Sequence, residues 1–127
     1  MFVKVGLAGT DMGATYLLPR IVGLSKATEL LMTGDFVSAA EAERIGLYNR
    51  VVPRDQLESV THEFAAKLAH GPALGLAKTK EMLNREMHMS FESALEAEAV
   101  AQALCMQTPD FKEAHAAFLE KRPAKFK

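Results

Sequence analysis

Apolar side chains recur every three or four residues along most of the chain, which predicts a mostly α-helical protein. In the second half, four successive stretches each place their apolar residues on one helical face. The first of these stripes consists of Leu57, Val60, Phe64 and Leu68. The pattern therefore predicts a series of short amphipathic helices that pack through their apolar faces.

Hydroxyl side chains mark where several of these helices begin. Ser38 and Glu41, and likewise Asp55 and Glu58, have the spacing of a capping box. Ser25 and Ser90 are candidate caps of other helical stretches, and Thr108-Pro109-Asp110 opens the last one. A capping hydroxyl accepts a hydrogen bond from a free amide in the first helical turn. We therefore expect helices to begin immediately after Ser25, Ser38, Asp55 and Ser90, and the last helix to open at Thr108.

Two short segments, Phe2 to Leu7 and Leu47 to Val52, have a β-like rather than a helical pattern. The chain offers too few partner strands to build a sheet from them, and natural proteins normally cover unpaired strands. We therefore expect the remaining strands to lie on another stretch of polypeptide. On this interpretation the chain is a fragment of a larger α/β scaffold.

Composition and charge argue against several classes of protein. The 127 residues fit one domain and 49% of them are hydrophobic, while 15 basic against 16 acidic residues leave a net charge of −1. No bulk attraction to nucleic acid or to an anionic membrane is expected. The single cysteine, Cys105, excludes an internal disulfide, and the four histidines lack metal-ligand spacing, so we predict no metal site. Neither a signal peptide nor a membrane-spanning run is visible, which predicts a soluble, cytoplasmic protein.

Four motifs occur in an order that resembles the enoyl-CoA hydratase/isomerase (crotonase) family. They are Leu18-Pro19-Arg20-Ile21-Val22-Gly23, the stretch from Thr33-Gly34 through Ala39-Ala40-Glu41-Ala42 to Gly46-Leu47, Val51-Val52-Pro53, and Ala117-Phe118-Leu119-Glu120-Lys121-Arg122. The resemblance runs from about Val5 onward and implies the C-terminal half of an α/β (ClpP/crotonase-like) fold. It implies that residues 1–53 end the ββα core and carry an active-site loop. Residues 54–127 would form a C-terminal helical region of the kind through which relatives form trimers.

The resemblance also implies a reaction class. Family members hold the thioester oxygen with two backbone amides that stabilise an enolate, and these amides belong to the family's first half. The chain would then be the C-terminal part of an acyl-CoA lyase or isomerase of fatty acid metabolism, with little activity alone. Its substrate would be a coenzyme A thioester, with no permanently bound cofactor, and it would form a trimer or a dimer of trimers. The alternative is a non-catalytic helical oligomerisation module derived from this family.

Two positions bear on catalysis. Phe2 stands where the family's hydratases place a glutamate, and a phenyl ring cannot transfer a proton, so this position argues against ordinary enoyl-CoA hydration. The segment Gly6 to Gly13 resembles, with one extra residue, a loop of the family's dienoyl-CoA isomerases in which an aspartate acts as acid and base. This makes Asp11 the candidate catalytic residue. The alternative is that Asp11 caps the helix beginning near Met12.

Phe118 and Lys121 match positions at which family members contact coenzyme A. An aromatic ring can stack on adenine, and an ammonium group can bind phosphate. The alternative is that Phe118 continues the apolar stripe of Phe111 and Ala114, while Lys121 belongs to a solvated basic tail.

Overall fold

The computed structural model describes residues 2–126, and the regular elements in that range are all helical. The α-helices are α1 (Ala14–Val22), α2 (Leu24–Thr33), α3 (Ala39–Arg44), α4 (Leu57–Ala69), α5 (Ala73–Arg85), α6 (Phe91–Met106) and α7 (Pro109–Leu119). Short 3₁₀ turns occupy Phe2–Val5, Arg54–Gln56 and Glu86–His88. The predicted mostly helical character of the fragment is confirmed.

The first predicted β segment is a 3₁₀ turn, so that part of the prediction is wrong. The N–H of Leu7 donates to the carbonyl of Phe2 at 3.1 Å, and the N–H of Gly6 donates to the carbonyl of Val3 at 3.2 Å. These local bonds satisfy amides that would otherwise need a neighbouring strand.

The second predicted β segment, Leu47 to Val52, is also wrong, because it forms turns and extended chain without a strand partner. The N–H groups of Leu47 and Tyr48 both donate to the carbonyl of Ala42, at 2.8 and 3.0 Å. The N–H of Val51 donates to Oε1 of Glu43 at 2.8 Å. Helix α3 thus supplies the acceptors that a strand would have supplied.

The described chain divides into two compact units, one ending at Gln56 and the other beginning at Leu57. In the first unit, α1 packs on α2, and α2 also contacts the turn Phe2–Val5. In the second unit, α5 packs on α6 and α6 on α7. The boundary expected from the sequence falls between residues 53 and 54. The roles expected for the two parts remain predictions.

The predicted helix starts at Ser38, Ser90 and Thr108 are confirmed. The start predicted at Ser25 is wrong, because α2 begins at Leu24 with Gly23 as its N-cap residue. Asp55 lies within the 3₁₀ turn Arg54–Gln56, and α4 begins only at Leu57. Ser38 Oγ accepts a hydrogen bond from the N–H of Glu41 at 3.2 Å, and Ser90 caps α6 in the same manner. Thr108 Oγ1 accepts from the N–H of Phe111 at 3.1 Å. Each cap satisfies an amide that has no partner within its own helix.

Very little apolar material is buried in either unit. The buried apolar residues within 2–126 are Ala27, Ala42, Met82, Ala101 and Ala117. A compact protein of 13.9 kDa exposes about 6,700 Å², and two separate domains of these sizes expose about 8,000 Å² together. This chain exposes 10,058 Å². Its helices therefore carry apolar faces that the chain itself does not cover.

Candidate functional site

Asp11 lies in an exposed turn directly before α1. The carbonyl of Asp11 accepts a hydrogen bond from the N–H of Ala14 at 2.8 Å, and the intervening Met12 and Gly13 have φ values of 48° and 85°. Positive φ at both central positions is typical of a type I′ turn. A methionine is an unusual occupant of that conformation, since its β-carbon crowds the backbone.

The geometry of this turn bears on whether Asp11 caps α1, and not on whether it acts as an acid and base. Helix α1 begins at Ala14 with Gly13 as its N-cap residue, and no side chain caps it. Asp11 lies two positions too early to serve as the cap, so the capping alternative is wrong. Its role as an acid and base remains a prediction.

An apolar pocket of about 420 Å³ adjoins this loop within the first unit. Its walls include Thr10, which directly precedes Asp11, together with Pro19 and Leu31. The loop approaches α2 closely, because a β-carbon at Gly9 would lie 2.5 Å from the carbonyl oxygen of Leu31. The volume falls within the range of about 300–1,000 Å³ that small-molecule sites occupy.

Phe2, at the position of the hydratase glutamate, begins the first 3₁₀ turn and is about half exposed. The same turn is tied to the segment after α2 by Lys4, whose Nζ lies 2.5 Å from Oδ1 of Asp35. Lys4 lowers the pKa of the Asp35 carboxyl by its hydrogen bond and its charge. Both side chains are largely solvent-exposed, so the pair contributes little to stability.

The chain leaves α7 through a turn that places Lys121 in the left-handed conformation, with φ of 54°. The N–H of Lys121 donates to the carbonyl of Phe118 at 3.2 Å, and the N–H of Arg122 donates to the carbonyl of Ala117 at 3.0 Å. This pair of bonds defines a Schellman motif, in which glycine usually takes the left-handed position. A lysine there costs about 1–2 kcal/mol relative to glycine.

The structure brings Phe118 and Lys121 together within one turn at the end of α7. Phe118 is 81% exposed and Lys121 is exposed as well. Phe118 therefore does not extend a packed apolar stripe within this chain. Lys121 lies on a hydrogen-bonded turn rather than on an unstructured tail.

Sequence reasoning missed a cluster around Glu113 that holds the segment after this turn. Arg122 donates from Nη1 to Oε1 of Glu113 at 2.6 Å and from Nη2 to Oε2 at 3.1 Å, and the N–H of Lys125 donates to Oε1 at 2.9 Å. The Arg122 guanidinium and the Lys125 amide lower the pKa of Glu113 to about 2. Glu113 and Arg122 are nine residues apart across a helix end, so no helical spacing rule would have paired them.

A groove of about 590 Å³ lies between α5 and α6 in the second unit. Its lining combines apolar side chains such as Met82 and Leu95 with the charged Lys78 and Glu98. Cys105 also lines this groove and is half-buried.

Two features are absent from residues 2–126. No helix in that range is both long and apolar enough to cross a membrane. The same range holds no group of three or more His, Cys, Asp or Glu side chains placed to hold a metal ion.

Comparison with known proteins decides the family. The family model described as enoyl-CoA hydratase/isomerase matches residues 1–127. The chain belongs to the enoyl-CoA hydratase/isomerase family. The resemblance seen in the four sequence motifs is therefore confirmed.

Individual relatives agree with this assignment. The chain is 40% identical over 124 residues to crotonyl-CoA hydratase from Syntrophomonas wolfei. The aligned region covers 97% of this chain and 48% of that protein. It is 34% identical over 125 residues to trans-2-decenoyl-[acyl-carrier-protein] isomerase from Streptococcus mutans. This aligned region covers 98% of this chain and 47% of the isomerase.

A solved structure shows the same fold. The chain matches a provisionally assigned enoyl-CoA hydratase from Streptomyces coelicolor A3(2) with a TM-score of 0.94 and 51% identity. The match covers 99% of this chain and 46% of that one. The chain thus spans slightly less than half the length of each of these relatives.

Proposed function

We propose that the chain is the C-terminal part of an acyl-CoA hydratase or isomerase, and that it binds the nucleotide end of a coenzyme A thioester through Phe118 and Lys121. The observation that carries this proposal is the turn after α7. It presents an exposed aromatic ring and an ammonium group within four residues of one another.

The chemistry of the two side chains matches the two ends of an adenosine phosphate. The ring of Phe118 offers a face on which adenine can stack, and Lys121 offers a positive charge for phosphate. The left-handed conformation of Lys121 supports the same proposal, because backbone strain tends to persist where a ligand is bound. Family membership makes coenzyme A the expected carrier of that nucleotide.

Calorimetric titration of the 127-residue chain with coenzyme A tests this proposal. We expect weak but measurable binding that Lys121→Ala reduces about fivefold, as expected for an exposed charge-assisted hydrogen bond. Lys112→Ala is the matched control, because it removes the same charge from an exposed position on α7. Equal losses for the two variants would show non-specific electrostatic attraction and contradict the proposal.

For the reaction itself, we propose that Asp11 moves a proton on the acyl chain of the substrate. Support comes from the exposed turn that carries Asp11 and from the apolar pocket that adjoins it at Thr10. Enolate stabilisation requires the family's pair of oxyanion-binding amides, which the resemblance assigns to the first half of the scaffold. We therefore expect no detectable turnover of enoyl-CoA by the 127-residue chain. A robust rate that Asp11→Asn leaves unchanged would contradict both parts of this proposal.

A second candidate function is a helical oligomerisation module without ligand binding. The large exposed apolar surface favours it, because such surfaces mark protein contacts. Under this alternative the chain assembles into a trimer or a dimer of trimers, and titration with coenzyme A gives no binding heat. The two candidates therefore differ in the calorimetric result and not in the expected oligomer.

A further inference from the structure

We infer that Glu113 is a positioning residue for coenzyme A binding, because through Arg122 it holds the left-handed turn that presents Lys121 to phosphate. This inference rests on the proposed role of Phe118 and Lys121. It adds a residue from the middle of α7 that does not itself reach the ligand.

The contacts of Glu113 converge on the residue directly after Lys121. Both carboxylate oxygens accept hydrogen bonds from the Arg122 guanidinium, and Oε1 also accepts from the N–H of Lys125. The backbone N–H of Arg122 meanwhile closes the turn onto the carbonyl of Ala117. Arg122 is therefore fixed through its side chain and its backbone together, which leaves Lys121 little freedom.

The strained conformation of Lys121 needs such support. A non-glycine residue stays left-handed only where its surroundings over-determine it. Glu120 also accepts from Arg122 Nε at 2.5 Å, but its side chain is 60% exposed against 28% for Glu113. Glu113, which is less exposed and bonds in a bidentate manner, is the stronger anchor. Without it, only a fraction of molecules would hold the turn, and the apparent affinity would fall by that fraction.

Charge effects alone and the positioning role predict opposite changes in coenzyme A affinity for Glu113→Gln, so the direction of the change tests the inference. Glu113→Gln removes a negative charge close to the site, and coenzyme A is an anion. Coulomb attraction would therefore strengthen binding, whereas a lost anchor would weaken it. Only positioning predicts a loss of affinity when a nearby carboxylate is neutralised.

The experiment titrates the 127-residue chain with coenzyme A by calorimetry in four forms: the unmodified sequence, Glu113→Gln, Lys121→Ala and the double variant. Glu96→Gln, at an exposed position on α6, controls for the change in net charge. We expect Glu113→Gln to weaken binding about twofold to fivefold, no more than Lys121→Ala does, and Glu96→Gln to leave it equal or tighter. The double variant should bind no more weakly than Lys121→Ala alone, because Glu113 acts through Lys121.

A second variant and a structural readout guard against simple misfolding. Arg122→Lys keeps the positive charge and loses the bidentate geometry, so it should weaken binding in the same direction with unchanged helix content by circular dichroism. The Cα chemical shift of Lys121 should move away from its left-handed value in Glu113→Gln. That shift is measurable whether or not coenzyme A binds.

The failures of the two proposals are distinguishable. If Lys121→Ala binds coenzyme A as well as the unmodified chain, the proposed function fails, and the chemical shift still tests whether Glu113 holds the turn. If Lys121→Ala weakens binding but Glu113→Gln does not, the inference is overturned and the proposed function stands. Additive losses in the double variant would also overturn it.

Discussion

At the scale of single residues, Met12 and Lys121 are the non-glycine residues within 2–126 that have a left-handed backbone conformation. Met12 directly follows the candidate acid and base Asp11, and Lys121 is itself the candidate phosphate ligand. The resemblance pointed to Asp11 and Lys121, but no sequence pattern could predict the left-handed conformation of Met12 and Lys121, since glycine is the residue that normally signals it. Lys121 combines backbone strain with candidate ligand chemistry in one residue, whereas in the loop before α1 the strained Met12 is the neighbour of the candidate Asp11.

Lys121→Gly should separate stability from binding at this turn. Glycine adopts the left-handed conformation without steric cost, so we expect the free energy of unfolding to rise by about 0.5–1 kcal/mol after the added freedom of the unfolded chain is counted. Binding of coenzyme A should weaken, because the ammonium group is lost. Urea unfolding and calorimetry measure the two effects. Lys121→Ala is the control, since it loses the charge and keeps the strain, and equal stability of the two variants would contradict this account.

Gly9 and Gly75 predict opposite outcomes for the same substitution. A β-carbon at Gly9 would lie 2.5 Å from the backbone oxygen of Leu31, so Gly9→Ala must displace the loop or α2 and should cost about 1–3 kcal/mol. At Gly75, inside α5, the nearest side-chain atom lies at an ordinary 3.6 Å on Pro72. Gly75→Ala should therefore stabilise by about 0.5–1 kcal/mol through helix propensity. Thermal unfolding of both variants measures these effects. A Gly9→Ala variant more stable than Gly75→Ala would contradict the prediction.

At the scale of elements, helices could be predicted where the signal lay in neighbouring residues of the sequence. The prediction of strands failed, because a strand depends on a partner strand elsewhere. The hydroxyls of Ser38, Ser90 and Thr108 bond amides of their own helices, so each cap could be predicted from neighbouring residues. The two β-like segments need a partner strand, and their amides instead bond acceptors such as the carbonyls of Phe2 and Ala42. The pairing between Glu113 and Arg122 was missed because it crosses the end of a helix.

The segment after α7 should detach from that helix in acid. Arg122 and the Lys125 amide lower the pKa of Glu113 from 4.5 to about 2. A carboxyl whose pKa is lowered by folding stabilises above its unfolded value, and that contribution is lost as the pH falls from 4.5 toward about 2. The protection factor of the Lys125 amide, its exchange rate relative to the intrinsic rate at the same pH, should therefore fall across this window. Glu113→Gln should abolish this pH-dependent loss of protection. An unchanged protection factor of Lys125 down to pH 2 in the unmodified chain would contradict the prediction.

At the scale of the whole molecule, surface area is the property that sets this chain apart from an independent domain. Its exposed 10,058 Å² exceeds by about a quarter even the sum of about 8,000 Å² expected for two separate domains. The apolar face of α4, which the sequence predicts to pack against other helices, is not covered within this chain. Its Leu57, Phe64 and Leu68 are between 45% and 58% exposed. Amphipathic periodicity predicted which faces are apolar, but it could not show whether this chain or another surface covers them.

Adjacent residues on α5 test that conclusion directly, because Met82 is 9% exposed and Leu83 is 64% exposed. If the exposed apolar faces are sites of contact with another protein surface, the isolated chain should bind the dye 8-anilinonaphthalene-1-sulfonate. It should also self-associate and sediment above its monomer mass of 13.9 kDa. Leu83→Gln should reduce both effects and leave the unfolding temperature unchanged, since that side chain contributes little to the folded chain. Met82→Ala should instead lower the free energy of unfolding by about 2 kcal/mol, at the lower end for a buried methionine. A monomer that binds no dye, or a Leu83→Gln variant as destabilised as Met82→Ala, would show that these helices form a self-sufficient core.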